Sequence, residues 1–342
     1  MPGHATPSRR TLLGAVAAIA LWPLRGLAQS RPQKEVLAFY YGWYGIKAFS
    51  GQNIHWKNPD TARQQIADAP DYPSGGPYDS LDPAIMDRQM AQMKAAGITG
   101  LIASWWGQDD RTNQQLPKLL DAAARYGLKV CAYVERADTP QSVSADVLYL
   151  HQTYGRHAAW LRLDGKPVLM FFDRLMQTIG PEGWNKARAL IDAKAPRAIS
   201  FIGTANTLDE IKSRKVAFDG LHIYSMQFEA AEFRLIPALW RHHFYKAWVK
   251  AQSGAKVTTA TILPGFDDHL LPDRTGKRPT IERDEGESFR RLWKAAIDAR
   301  PDWILIVSFN EWHEASQIEP SLQYGTRELE TCKTYSVQFM SS

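Results

Sequence analysis

The chain has 342 residues, 23% of them charged and 44% hydrophobic, with 12 Trp, 13 Tyr and two Cys. Its formal charge is +5, but Arg9, Arg10 and Arg25 lie in the first 28 residues with no acid among them, so the remainder carries only +2, the whole-chain charge less those three. With no dense Lys/Arg run and no cysteine cluster, this composition argues against nucleic-acid binding and against a structural zinc site, and the length is ample for one large core.

Ser8-Arg9-Arg10-Thr11-Leu12-Leu13 is a paired-arginine start. An apolar run follows from Leu12 to Leu24, broken by Gly14 and Pro23, and Gly26-Leu27-Ala28 places small residues where a signal peptidase reads. Residues 1–28 are therefore read as a twin-arginine-type signal peptide, which predicts a periplasmic or secreted protein. The apolar run is too short and too interrupted to be read as a membrane span, so no stable membrane insertion is expected after cleavage; an uncleaved anchor is the alternative.

Eight strand-like runs follow in chain order. The first, Val36 to Tyr41, exits into Gly42-Trp43-Tyr44 and a long loop over residues 45–80 that carries His55-Trp56. Asp82-Pro83 then opens a helix, Asp as N-cap and Pro in the first turn, with Ile85, Met86, Met90 and Met93 on one face and Gly97 at its end. Strand two, Gly100 to Ala103, exits at Ser104-Trp105-Trp106, and a helix near 113–126 ends at Gly127. Strand three, Lys129 to Val134, exits at Glu135-Arg136; a helix around 142–158 leads to strand four, Pro167 to Phe172, which exits at Asp173. A helix near 181–194 precedes strand five, Ile199 to Gly203, which exits toward Asn206. Strand six, Asp219 to Tyr224, is weaker and is followed by a helix over 229–252; strand seven, Lys256 to Leu263, exits toward Asp267. A helix near 284–299 feeds the last strand, Trp303 to Val307.

Strands alternating with helices predict a parallel sheet with crossovers, and eight such units predict a single closed (β/α)8 TIM barrel. The long loop after strand one would cover the C-terminal face. An open doubly wound sheet is the alternative, but no Gly-rich loop opens the first helix, so a dinucleotide site is unsupported. There is no internal repeat and no linker, so residues 29–342 read as one catalytic domain, expected to be a monomer.

A barrel gathers the C-terminal ends of its strands around one mouth. Here that would bring together Tyr41, Trp43, Tyr44, Trp105, Trp106, Glu135, Asp173, Asn206, Tyr224, Asp267, Asn310, Glu311 and Glu314. Aromatic rings stack on the flat C–H faces of sugars, and two carboxyls, one protonated and one ionised, are what glycoside hydrolysis requires. Each member also has a plainer reading. Glu135-Arg136 would serve as a rim ion pair, Asp173 as a helix cap, Asp267-Asp268-His269 as a solvated loop rather than a metal cluster, and His55 as a core histidine. Cys131 reads as a buried thiol, with a disulfide to Cys332 as the alternative.

The last strand runs straight into Ser308-Phe309-Asn310-Glu311-Trp312-His313-Glu314, then Gln317-Ile318-Glu319-Pro320. If the chain turns helically there, Glu311 and Glu314 share one face with Cβ atoms roughly 5–6 Å apart. Glu319 before Pro320 reads as a residue that fixes the loop.

Asn310-Glu311-Trp312-His313-Glu314 with Gln317-Ile318-Glu319-Pro320 resembles the signature of glycoside hydrolase family 99, the endo-acting α-mannosidases and α-mannanases. Phe39-Tyr40-Tyr41-Gly42-Trp43-Tyr44, His55-Trp56, the segment Tyr72 to Tyr78 with Asp82-Pro83, Ser104-Trp105-Trp106-Gly107 and Gly165-Lys166-Pro167-Val168 agree with it. The resemblance implies a (β/α)8 barrel that retains anomeric configuration. Glu311 would deprotonate the sugar 2-hydroxyl to form a 1,2-anhydro sugar, and Glu314 would serve as general acid and then general base. Tyr41, Trp43, Tyr44, His55, Trp56, Trp105, Trp106, Glu135, Asn206, Tyr224, Asn310, Trp312 and His313 are the expected substrate-binding residues. No cofactor and no metal are implied, and the partner is an oligosaccharide or polysaccharide. Family-99-like domains also occur in polysaccharide biosynthesis and secretion loci, so an exopolysaccharide-processing or glycan-binding accessory on the same barrel is the alternative.

Overall fold

Apart from Met1 and Gly3, the expected signal segment lies outside the described residues: the computed structural model describes these two positions and residues 32–235, 238–272 and 278–342. Within Pro32–Ser342, one compact unit, β1 (Glu35–Tyr40) leads through the one-turn α1 (Lys47–Ser50) to α2 (Pro83–Ala95). Then come β2 (Gly100–Trp105), α3 (Arg111–Tyr126), β3 (Lys129–Val134), α4 (Pro140–Tyr154), the short β4 (Arg162–Leu163), β5 (Lys166–Phe171) and α5 (Arg174–Lys194). The second half runs β6 (Ser200–Thr204), α6 (Leu208–Arg214), β7 (Gly220–His222), α7 (Met226–Leu235), α8 (Ala238–Ala251), β8 (Thr259–Ile262), α9 (Glu287–Ala299), β9 (Trp303–Ile306) and α10 (Arg327–Ser341).

The barrel strands are apolar on both faces because helices cover one and the barrel core the other; β1, β2, β8 and β9 are buried along their whole length. They pair in the order β7-β6-β5-β3-β2-β1-β9-β8, with β4 adding an antiparallel hairpin to β5. All pairings around the barrel are parallel, Phe39 opposite Ile102 on one side of β1 and Leu37 opposite Leu305 on the other. The seam between β7 and β8 has no regular ladder. It is closed by the amides of Lys256 and Val257 donating to the Asp219 carbonyl (2.8 and 3.2 Å) and by the Thr259 hydroxyl donating to the Leu221 carbonyl (2.7 Å). The strands approach so closely there that a Cβ on Gly220 would lie 2.5 Å from Val257 Cγ1. This is the (β/α)8 barrel the strand count predicted.

Element boundaries depart from the sequence pattern for local reasons. Helix α3 starts at Arg111 because Asp110 caps the Thr112 amide, and α4 starts at Pro140 because Thr139 and Ser142 form a reciprocal capping box. Helix α5 begins at Arg174 and kinks at Gly180 (φ 61°), so the helix expected from 181 is only its second limb. The single helix expected over 229–252 is two, α7 and α8. Helix α10 went unpredicted; it buries Leu329, Cys332, Tyr335 and Phe339 and packs against α9 and α2, completing the helical ring. Cys131 and Cys332 are both free and buried, so the thiol reading holds and the disulfide does not form. No described helix is long and apolar enough to cross a membrane.

Candidate active site

The chain leaves β9 through a cis Val307–Ser308 peptide and turns at once. The turn is a single 3-10 turn, Trp312–Glu314, with Glu311 at its N-cap. Its geometry is fixed from beneath by side chains that replace backbone partners the ended strands no longer supply. Asn310 accepts from the Tyr41 amide (2.8 Å) and donates to the Tyr41 carbonyl (2.9 Å), tying the turn to the chain just beyond β1. The Tyr44 hydroxyl donates to the Asn310 carbonyl (3.0 Å) and accepts from the Trp312 amide (3.3 Å). The Ser308 hydroxyl accepts from the Glu311 amide (2.7 Å). Beyond the turn, Arg283 donates from one guanidinium nitrogen to the Ala315 and Gln317 carbonyls, both 2.9 Å.

Below this turn lies a buried polar hub. Tyr78 donates to Glu319 (2.8 Å) while accepting from Asn310 Nδ2 (3.1 Å) and Trp312 Nε1 (3.2 Å), and Gln89 donates to the other Glu319 oxygen (2.9 Å). Burial raises the Glu319 pKa against these hydrogen bonds and the Arg88 charge. Glu319 is thus a loop-fixing residue, as its place before Pro320 suggested.

The turn projects Glu311 and Glu314 into a cleft of about 370 Å³ at the C-terminal ends of the strands. Tyr41, Trp43, His55, Trp106, Glu135, Tyr224 and His313 line the same cleft. Trp43 stacks on His55 (4.5 Å, 10° between planes), so His55 is a cleft wall and not a core residue. Glu311 Oε1 accepts from the His313 amide (3.2 Å) and meets His313 Nδ1 at 3.0 Å. Glu314 Oε2 accepts from the Tyr224 hydroxyl (3.0 Å), which lies 2.6 Å from the Tyr41 hydroxyl. Burial, followed by each other's presence or that of the neighbouring carboxyls, pushes both phenols well above their ordinary pKa, so both stay protonated hydrogen-bonding groups. Glu135 is a third carboxyl in the cleft. Burial, aided by Glu311 and Glu314, pushes its pKa up to about 8 against Arg174 and the Ser104 hydroxyl, which donates to it at 3.1 Å.

The remaining expected residues sit elsewhere. Tyr44 and Trp56 stack on each other (4.0 Å) beneath the cleft wall, and Asn310 and Trp312 support the turn from within; all four are buried and outside the cleft lining. Strand β2 runs to Trp105, two residues past the expected end. Side-chain alternation then turns Trp105 outward onto Asn113 (3.1 Å), while Trp106 faces the cleft. Asn206 donates to Asp173 (2.9 Å) and is likewise outside the lining. Asp173 stands at the N-cap of α5, yet its carboxylate binds Arg214 (2.9 Å) in place of a helix amide. The rim ion pair read for Glu135-Arg136 is absent, since Arg136 pairs with Asp138 (2.7 Å). Asp267 and His269 bond each other, and among the described residues no group of three His, Cys, Asp or Glu is placed to hold a metal.

Four lining residues had no signal strong enough to single them out: Asp68, Phe172, Arg174 and Leu271. Phe172 and Arg174 flank Asp173 at the exit of β5, and the Arg174 guanidinium lies 4.9 Å above the Trp106 ring. Strand-end position therefore pointed at them, though their residue types did not. Asp68 and Leu271 come from irregular segments, where no periodicity marks direction.

This arrangement supplies two carboxyls on one short turn, each with a different hydrogen-bond partner, facing aromatic platforms. The model of glycosyl hydrolase family 99 matches residues 32–335. The chain is 28% identical over 328 residues to the glycoprotein endo-alpha-1,2-mannosidase of Rattus norvegicus, covering 85% of this chain and 69% of that protein. It is 29% identical to a Danio rerio glycoprotein endo-alpha-1,2-mannosidase-like protein, covering 85% and 72%. A solved structure of a GH99 endo-alpha-mannosidase from Bacteroides thetaiotaomicron superposes with a TM-score of 0.77 at 30% identity, covering 90% of this chain and 97% of that one. Motif, barrel and family model agree over nearly all of Pro32–Ser342: the chain belongs to glycosyl hydrolase family 99 and is a glycoside hydrolase.

Proposed function

We propose that this protein is an exported, retaining, endo-acting hydrolase of α-mannosidic linkages in a polysaccharide, working through the sugar's own 2-hydroxyl. The observation that carries the reading is the different setting of the two carboxyls: Glu311 bonded to His313 and Glu314 bonded to a phenol. Opposite environments on neighbouring carboxyls are how a base and an acid coexist at one pH.

In the first step the Glu311 carboxylate takes the 2-hydroxyl proton. The freed O2 attacks C1, the C1–O bond to the leaving sugar breaks, and Glu314 gives its proton to the departing oxygen. In the second step Glu314, now ionised, takes a proton from water. The hydroxyl attacks C1, the C1–O2 bond breaks, and Glu311 returns its proton to O2. Two inversions at C1 give net retention, without the covalent enzyme intermediate of the usual retaining scheme. Ring closure needs O2 on the opposite face from the leaving group. An α-mannoside, with both substituents axial, meets this requirement; an α-glucoside does not.

The name of the Bacteroides relative, a GH99 endo-alpha-mannosidase, supports this substrate class, and the paired arginines at Arg9-Arg10 support export. The test is turnover on a panel of α-mannan oligosaccharides with α-glucan controls, read by product size and by NMR of the first-released anomer. Retained internal cleavage products are expected, with Glu311→Gln and Glu314→Gln each losing at least about 100-fold in kcat and melting like the parent. An inverted first product would sink the 2-hydroxyl route; binding without turnover would favour a glycan-binding accessory.

A further inference from the structure

We propose that His313 is a positioning residue for Glu311: a doubly protonated ring that occupies Oε1 of that carboxylate and leaves Oε2 as the oxygen that takes the sugar proton. The inference rests on the reading of Glu311 as the base, and it deepens that reading.

The proton state follows from the partners. His313 Nε2 lies 2.7 Å from the backbone carbonyl oxygen of His55. A carbonyl oxygen has lone pairs and no hydrogen, so Nε2 carries a proton. Asp68 Oδ2, 3.6 Å from the same nitrogen, adds a negative charge on that side. Nδ1 lies 3.0 Å from Glu311 Oε1, which the His313 amide also approaches at 3.2 Å. With Glu311 ionised, Nδ1 must donate as well. Among the described residues nothing bonds Glu311 Oε2, while Glu311 lines the cleft. The Glu311–His313 pair therefore presents one oxygen to substrate.

The surroundings favour the cation and hold the ring still. It is 6% exposed, lies nearly parallel to Tyr44 at 5.8 Å, and has His55 and Trp56 at 6.2 and 6.5 Å. The ionisable groups facing it are Glu311 on its own turn, and Asp68, His55 and Tyr44 from the segment after β1. Tyr44 is a neutral phenol, since burial raises its pKa well above the ordinary value. Burial and His313 lower that of His55. The net charges on the ring are thus two carboxylates. Burial by itself would lower the His313 pKa, but Glu311, Asp68 and the His55 carbonyl together raise it above the ordinary value.

The consequence is kinetic. A positive charge held against Oε1 stabilises the negative charge of the carboxylate that takes the sugar proton in the first step. His313 keeps both protons through both chemical steps and touches no reacting atom.

The experiment compares kcat/KM against pH for the parent and His313→Gln, which keeps an amide donor and removes the charge. The acidic limb is expected to move to higher pH. A uniform fall in kcat/KM with an unmoved limb would overturn the inference and assign His313 a packing role. A second measurement does not depend on how the variant folds: nitrogen NMR of the parent protein labelled with 15N-histidine, at pH 6. Two protonated ring nitrogens at His313 are expected; a neutral tautomer there overturns the inference. Full activity of Glu311→Gln would instead overturn the base assignment itself, so the two failures are distinct.

Discussion

Glu135 offers a quantitative test of the cleft's electrostatics. Its residue is 5% exposed, and burial, with smaller contributions from Glu311 and Glu314, lifts its pKa from the ordinary 4.5 to about 8. A carboxyl that binds its proton more tightly folded than unfolded stabilises the protein while protonated. That stability is fully present below about pH 4.5 and is lost as pH rises toward 8. Within this window the loss runs at about 1.4 kcal/mol per pH unit. Going from pH 5 to pH 7 therefore costs the ligand-free protein up to about 3 kcal/mol through this one group. Glu135→Gln removes the titration while keeping an oxygen to accept from Ser104. Urea unfolding of both proteins at pH 5, 6 and 7 is the assay. The stability difference should drift toward the variant by up to about 3 kcal/mol across that range. Two curves separated by a constant amount at every pH would refute the reasoning, because a lost contact has no reason to follow pH.

Two further substitutions probe the scaffold. Tyr78→Phe leaves Glu319, Asn310 and Trp312 each short of a buried partner, at about 1–3 kcal/mol for a buried polar group left unpaired. The melting temperature should fall, and kcat with it, because the same hydroxyl holds the turn that carries Glu311 and Glu314; an unchanged kcat at temperatures well below melting would separate that hub from the geometry of the turn. Gly220→Ala drives a methyl to 2.5 Å from Val257 Cγ1 and 2.9 Å from the Val257 carbonyl across the β7–β8 seam. Overpacking of that kind costs about 1–3 kcal/mol, read as a lower urea midpoint, and a variant as stable as the parent would mean the seam opens freely.

The barrel was legible because its information is local and repeated. Each buried strand is a short apolar run, α2, α3, α4 and α6 open on capping side chains, and eight alternations leave few topologies. Legibility failed where a long-range contact decides the outcome. Helix α10 has an amphipathic face that matters only because α9 and α2 leave a gap for it. Strand β7 keeps only Gly220–His222 of its expected run because the seam to β8 is bridged by scattered hydrogen bonds and not by a ladder. At the site, the family motif marked Glu311, His313 and Glu314, and strand-end position marked Tyr41, Trp43, Trp106, Glu135 and Tyr224; all of these line the cleft. Trp105 was misdirected because strand β2 continues through it, and alternation sets it on the face opposite Ser104, whose hydroxyl reaches Glu135 in the cleft. Asp68 was missed because nothing local distinguishes one acid in a polar loop from another.

By itself, the amino-acid sequence determined the alternation of elements, the apolar interior and the presence of two carboxyls on one short segment after the last strand. Those follow from residue type and spacing, which act over a few residues. The tertiary structure decided which of the aromatic residues face the cleft, which polar groups hold the turn from below, and what each carboxyl touches. Glu311 meets a histidine whose other nitrogen is bound to a carbonyl 258 residues earlier, and Glu314 meets a phenol 90 residues earlier. Proton affinity depends on burial and on charges within a few ångströms, and those neighbours are set only when the barrel closes.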